Sequence, residues 1–184
     1  MKKNIKYALI LLSICAISTA ALALTNSITA PVIEVQEEEN RLAALKAVSM
    51  GYEIGVQEDI VGDRSVTFVT DLKDGGQTVG YILGLKGAGY GGEMALVASY
   101  KSDGEILRVQ LLSHNETPGL GKKAENAGYM AKYEGTGAGS EVPTNKNMLS
   151  ASDAQAVSGS TVTFAAIGKA LEAGSRYVNE LGGK

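Results

Sequence analysis

The sequence predicts an α+β protein: a single N-terminal transmembrane helix, then a mainly antiparallel sheet domain that closes with a C-terminal helix. Three observations carry this prediction. An uncharged stretch, Tyr7 to Leu24, follows Lys2, Lys3 and Lys6. Four short apolar runs separated by glycine turns fill the middle of the chain. Near the end, Phe164, Ile167, Leu171, Gly174, Val178 and Leu181 recur at spacings of three and four, the signature of one buried helix stripe. With 184 residues, 45% of them hydrophobic, the chain has enough apolar material for one domain plus an appendage, which excludes general disorder. All 23 glycines lie after position 50, and eight Tyr, two Phe and no Trp make up the aromatics. The expected division places the N-terminus and membrane helix in 1–30 and the folded domain in 31–184.

The uncharged stretch is about long enough to span a bilayer. Its flanking lysines all precede it, while Glu34, Glu37, Glu38 and Glu39 follow. That asymmetry predicts a single-pass protein of the cell membrane, the inner or plasma membrane, with a cytoplasmic N-terminus and an extracytoplasmic domain. A cleaved signal peptide competes with this reading, because Ala21-Leu22-Ala23 has the small residues of a cleavage site, but the apolar run exceeds the usual core of a signal. Lipidation at Cys15 is the other competitor, and Ile14 before it is larger than that modification prefers. A retained anchor surrounded by membrane lipid is preferred. Without the three lysines, 14 basic and 20 acidic residues remain, so the exported part carries a net charge of −6 and lacks the basic footprint of a nucleic-acid partner.

Ala30 to Ala47 reads as a second helix, with Pro31 in its first turn and Val35, Leu42 and Leu45 on one stripe. Strands follow over Ser65–Leu72, Thr78–Leu85, Met94–Tyr100 and Ile106–Leu112. Asp74-Gly75-Gly76 and Lys101-Ser102-Asp103-Gly104 supply hairpin turns between neighbours, so the sheet is antiparallel. The C-terminal helix begins after Ser158-Gly159-Ser160-Thr161-Val162-Thr163, whose hydroxyls lie where a helix has unpaired N–H groups. Two readings of that segment stay open, an ordinary N-cap and an anion site.

Other motifs fail on context. Gly87-Ala88-Gly89-Tyr90-Gly91-Gly92 fits G-x-G-x-x-G but precedes a strand, which excludes the dinucleotide reading. Leu120-Gly121-Lys122-Lys123 has the end of a phosphate loop without its first glycine or its Ser/Thr. One His and one Cys form no zinc cluster, so no metal site is expected, and no G-x-S-x-G elbow marks a hydrolase. The single histidine sits in Ser113-His114-Asn115-Glu116-Thr117-Pro118-Gly119-Leu120-Gly121, where Pro118-Gly119 dictates a tight turn and Gly119 and Gly121 expose backbone amides to a flat ligand. A bland loop is the competing reading.

Taken in order, Gly89-Tyr90-Gly91-Gly92, the Ser113–Gly121 segment and Ser158–Thr163 closely resemble the G subunit of the Rnf electron-transport complex. They are similar, more distantly, to the C subunit of the sodium-translocating NADH:quinone reductase. The likeness covers essentially the whole chain. It implies an electron carrier with covalently bound FMN, held through its phosphate on the last threonine of an Asp-x-x-Ser/Thr-Gly-Ala-Thr motif by a separate flavin transferase. By position that threonine is Thr161, with Ser158, Gly159 and Ser160 shaping the turn and Thr163 the lesser candidate. Two departures stand out: Ser160 replaces the usual alanine and Gln155 the usual aspartate, with Asp153 nearby. The resemblance makes Thr117, Pro118, Gly119, Leu120 and Gly121 one wall of the flavin site and Tyr90, Gly91 and Gly92 the other, with His114 and Glu116 tuning the flavin or only holding the loop. No acid–base catalyst is required of an electron carrier. The implied partners are the remaining subunits of an ion-translocating ferredoxin:NAD+ oxidoreductase, coupled to sodium or proton transport. A stand-alone FMN carrier and a non-redox surface module are the alternatives.

Overall fold

Nothing in the chain from Lys2 to Val48 is strong enough to stop a helix, and one helix, α1 (Lys2–Val48), takes up both helical stretches expected from the sequence. The computed structural model describes residues 2–182. Pro31 therefore lies inside a helix and not in a first turn. It removes a single N–H, the one that would bond the carbonyl of Ser27, and the apolar turns on either side continue past it. Serine and threonine in this stretch return their hydroxyls to the preceding turn, Ser13 to the Leu9 carbonyl at 2.9 Å and Thr25 to that of Ala21 at 2.9 Å. Polar residues so satisfied are tolerated in a bilayer. The helix is long and apolar enough to cross a membrane. Met50 and Gly51, with φ of 54° and 91°, end it in the left-handed region.

The chain divides into two compact units, one up to Arg41 and one from Leu42 onward. In the second, β3 (Val66–Asp74), β4 (Gln77–Ala88), β5 (Glu93–Lys101) and β6 (Ile106–Ser113) form an antiparallel meander. Two-residue strands β1 (Glu53–Ile54) and β2 (Glu58–Asp59) both pair with the outer side of β3. The Asp74↔Gln77 hairpin turns on Gly75 and Gly76, both at positive φ (55° and 84°), as the tightest hairpin loops require. Beyond β6 come a 3-10 turn at Gly121–Glu125, α2 (Ala127–Met130), α3 (Ala151–Ala156) and α4 (Thr161–Gly182).

Strand residues alternate between two cores. Leu83, Leu85, Leu96, Ala98 and Tyr100 face the stripe of α4, where Phe164, Ile167, Leu171 and Val178 are fully buried. Gly174 belongs to this stripe because a side chain there would overlap the Tyr100 hydroxyl, which donates to the Leu171 carbonyl at 3.1 Å. Leu181 is only half-buried. Phe68, Leu72, Ile82 and Val97 point to the other face, against Ala44, Leu45 and Val48. The expected Val35/Leu42/Leu45 stripe is thus corrected: Val35 and Leu42 are exposed, and the packed stripe is 44, 45 and 48, adjacent positions of one turn.

Candidate functional site

Three loops converge at the N-terminal end of α4. The first, Gly89–Gly92, closes the β4–β5 hairpin, with the Gly89 N–H donating to the Gly92 carbonyl at 2.8 Å. The second leaves β6 at Ser113 and turns at Thr117-Pro118-Gly119-Leu120. There the Leu120 N–H reaches the Thr117 carbonyl at 3.2 Å and Gly119 has φ of 77°, the geometry of a type II turn with Pro and Gly in its two central places. The third is Ser158–Ser160, with Gly159 at φ 82°. Between them lies a cavity of about 370 Å³ lined by Tyr90, Glu116, Thr117, Leu120, Gly121, Gly159, Ser160, Thr161, Val162 and Thr163.

Glu116 is the fastening point. It is 5% exposed, and its carboxylate accepts the Gly91 N–H on one oxygen (2.9 Å) and the Thr163 hydroxyl on the other (2.5 Å). A Cβ at Gly89 or Gly121 would overlap that carboxylate, and one at Gly91 would overlap the Asn115 carbonyl. Gly89 and Gly121 therefore make room for a buried glutamate. At Gly121, which also lines the cavity, the close approach within the fold is made by Glu116.

His114 lies behind the loop, outside the cavity lining. Its Nδ1 accepts the Glu116 N–H at 3.1 Å, so the ring proton sits on Nε2 and donates to Glu125 at 2.9 Å. That bond, with Lys122 adding to it, holds the Glu125 carboxyl below its ordinary value. Gly91, Gly92, Pro118, Gly119 and Ser158 also lie outside the lining. Pro118, Gly119 and Gly92 shape turns, Gly91 holds Glu116, and the Ser158 carbonyl accepts the Lys123 ammonium at 3.0 Å.

The hydroxyls at the start of α4 have unequal freedom. Ser160 is buried, donates to the Val157 carbonyl at 3.0 Å and lies 3.2 Å from the Tyr129 hydroxyl, so it does not cap the helix. Burial pushes the Tyr129 hydroxyl up to about 12. Thr163 is buried and committed to Glu116. Thr161 is exposed, and its hydroxyl has no partner among the described residues. The first intrahelical bond runs from the Phe164 N–H to the Ser160 carbonyl at 2.8 Å, which leaves the amides of the first turn without helical acceptors at the positive end of the helix dipole.

An FMN-binding domain matches residues 89–175, and the RnfG N-terminal region matches residues 1–48. The G subunit of the Na+-translocating ferredoxin:NAD+ oxidoreductase complex of Acetobacterium woodii is 30% identical over 177 residues, covering 88% of this chain and 85% of its own. The chain belongs to the family of these Rnf G subunits. The G subunit of the proton-translocating complex of Clostridium ljungdahlii is 26% identical over 176 residues, with 92% of this chain and 89% of its own covered. That of the ion-translocating oxidoreductase complex of Methanosarcina acetivorans is 26% identical over 186 residues, with 97% and 96% covered.

Within this member of the Rnf G family, the two departures from the expected motif have local explanations. Ser160 fits a buried position because Val157 and Tyr129 satisfy its hydroxyl. Gln155 is exposed on α3, while Asp153 accepts Lys132 at 2.7 Å and the Ser150 hydroxyl at 2.8 Å, and the Lys132 bond holds its carboxyl below 3.8. Sequence reasoning missed Thr163 as the holder of Glu116 and Tyr129 as the partner of Ser160. The only available signal was a glutamate followed closely by glycines in a loop.

Proposed function

We propose that this chain is the membrane-anchored FMN carrier of an ion-translocating ferredoxin:NAD+ oxidoreductase complex, with FMN joined through its phosphate to Thr161. The observation that carries the attachment is the unequal state of three neighbouring hydroxyls: Ser160 and Thr163 are buried and bonded, and Thr161 is exposed on the cavity wall. The remaining surroundings fit a flavin. Tyr90 (76% exposed), Leu120 (47%) and Val162 (52%) offer apolar surface beside the cavity, and the amides of the first helical turn favour a phosphate. When bound, FMN supplies the capacity to accept and deliver electrons. The chain's residues hold it, shield one side of it and keep its phosphate at a fixed place; none has to move a proton.

The ester forms when Thr161 Oγ1 bonds to the phosphorus of a phosphoanhydride form of FMN. The anhydride P–O bond breaks, the leaving phosphate departs with the electron pair, and the hydroxyl proton passes to a base of the flavin transferase. Residues 1–30 then provide the cytoplasmic N-terminus and membrane anchor in contact with lipid, and 31–184 the extracytoplasmic flavin domain. The lysines before the apolar stretch and the glutamates after it support that orientation. A cofactor tethered outside the cytoplasm is not lost by dilution.

Coexpression with a competent flavin transferase tests the reading. The intact mass should rise by one FMN less water, and the denatured chain should fluoresce in a gel. Thr161→Ala should abolish both. A wild-type chain of bare mass refutes the covalent assignment, and a flavin retained by the Thr161→Ala chain moves it to another hydroxyl.

A further inference from the structure

A second cavity, of about 560 Å³, adjoins the first along Thr161 and Val162, which line both. Its floor is small: Gly87, Ala88, Ala165, Ala166 and Ala170. Its charged groups are Arg64, Lys86 and Lys169, with no carboxylate among the lining residues. Three cations around one groove run against the net charge of −6 on the residues after position 30. Lys86 is paired with Glu93 at 3.0 Å. Arg64 and Lys169 form no ion pair among the described residues, and the neighbouring Asp63 carboxylate is turned into its own backbone, accepting the Ser65 and Val66 N–H groups at 2.7 and 2.9 Å. Arg64 and Lys86 come from sequence before residue 89, outside the stretch matched by the FMN-binding domain.

We infer that the groove lined by Arg64, Lys86 and Lys169 is the phosphate subsite of the flavin, so that the phosphate-bearing end lies in the basic cavity and the ring in the neighbouring one. This rests on the assignment of FMN to the Thr161 cavity. The two unpaired cations match the two negative charges of a free FMN phosphate, and attachment at Thr161 leaves one negative charge on the wall common to both cavities. The open side of the groove gives water access, so the attraction is screened by salt.

Full-length chain purified in detergent from cells lacking a flavin transferase, with a bare mass, is titrated with FMN and with riboflavin at low salt, following flavin fluorescence. FMN should bind about tenfold or more tightly than riboflavin, as charge-assisted contacts to one phosphate allow. Inorganic phosphate should displace FMN and leave riboflavin bound. The double substitution Arg64→Gln, Lys169→Gln should bring FMN to the affinity of riboflavin, whose own binding reports that the ring cavity is folded. Equal affinities in the wild type, or a preference for FMN that survives the double substitution, overturns the subsite. Failure of both flavins to bind removes the ring cavity and the subsite with it. Loading by the transferase separates the two ideas: a wild-type chain that gains no FMN mass refutes the Thr161 ester, whatever the titration shows.

Discussion

Replacing Glu116 by alanine tests whether one buried carboxylate fastens two loops of the site to α4. The substitution strips the acceptor from the Gly91 N–H and from the Thr163 hydroxyl. The buried Thr163 hydroxyl left without a partner costs about 2 kcal/mol and the more exposed Gly91 N–H about 1 kcal/mol, so the pair costs about 3 kcal/mol before counting the void between Gly89 and Gly121. For a domain of this size, each kcal/mol lowers the melting temperature by about 3–4 °C, which gives about 9–12 °C. Glu116→Gln keeps the shape and one acceptor and relieves the burial of a charge, so about half that loss is expected. The assay is thermal unfolding of the full-length chain in detergent by near-ultraviolet circular dichroism, where tyrosines report because there is no Trp. Thr163→Val supplies the cycle: it should cost at least about 1 kcal/mol less in the Glu116→Ala background than alone, because its partner is already gone. A Glu116→Ala chain melting within about 2 °C of the wild type, or additive effects of the two substitutions, refutes the fastening role.

Two further outcomes are expected. Gly121→Ala should destabilise the domain and reduce flavin loading, since its methyl would overlap the Glu116 carboxylate, and melting and in-gel fluorescence check both together. The Asp153 carboxyl, held below 3.8 by its bond to Lys132, contributes stability that is present above that value and is lost as pH falls through the lowered folded value. Lys132→Met should return the carboxyl toward 3.8 and flatten the acid limb of the stability curve, measured by carbon NMR titration of the carboxyl and by acid unfolding.

The long elements were legible because each declares itself over many residues. β3 to β6 lie within a few residues of the expected runs, since apolar stretches bounded by Asp74-Gly75-Gly76 and Ser102-Asp103-Gly104 leave little choice of register. The stripe of α4 follows its sequence period almost completely. β1 and β2 are only two residues long and exist because β3 presents an edge, which no local pattern records. The break expected at Pro31 is absent because a proline removes one bond, and one bond does not outweigh the continuous helix around it. The basic groove was invisible for a different reason. Arg64, Lys86 and Lys169 are distant in sequence and meet only because the Lys86 N–H bonds the Ser65 carbonyl at 2.8 Å and Gly87 lets α4 approach at Ala166.

The glycine-rich loops show what a pattern of close backbone approach serves inside the fold. Glycines at 89, 91 and 121 do mark a close approach, and what approaches is the chain itself, the Glu116 carboxylate at 89 and 121 and the Asn115 carbonyl at 91. A buried carboxylate so near Thr161 needs donors of its own to hold its charge. The Gly91 amide and the Thr163 hydroxyl stabilise that charge, and His114 fixes the backbone that carries it. On the other side of Thr161 the unpaired charges are positive, Arg64 and Lys169. The surroundings of Thr161 are therefore polarised across a single residue, with a hydrogen-bonded carboxylate beside one cavity and unpaired cations in the adjoining groove. On the proposed attachment, a phosphate esterified to Thr161 would be favoured on the basic side, which would leave the ring the apolar surface of Tyr90, Leu120 and Val162.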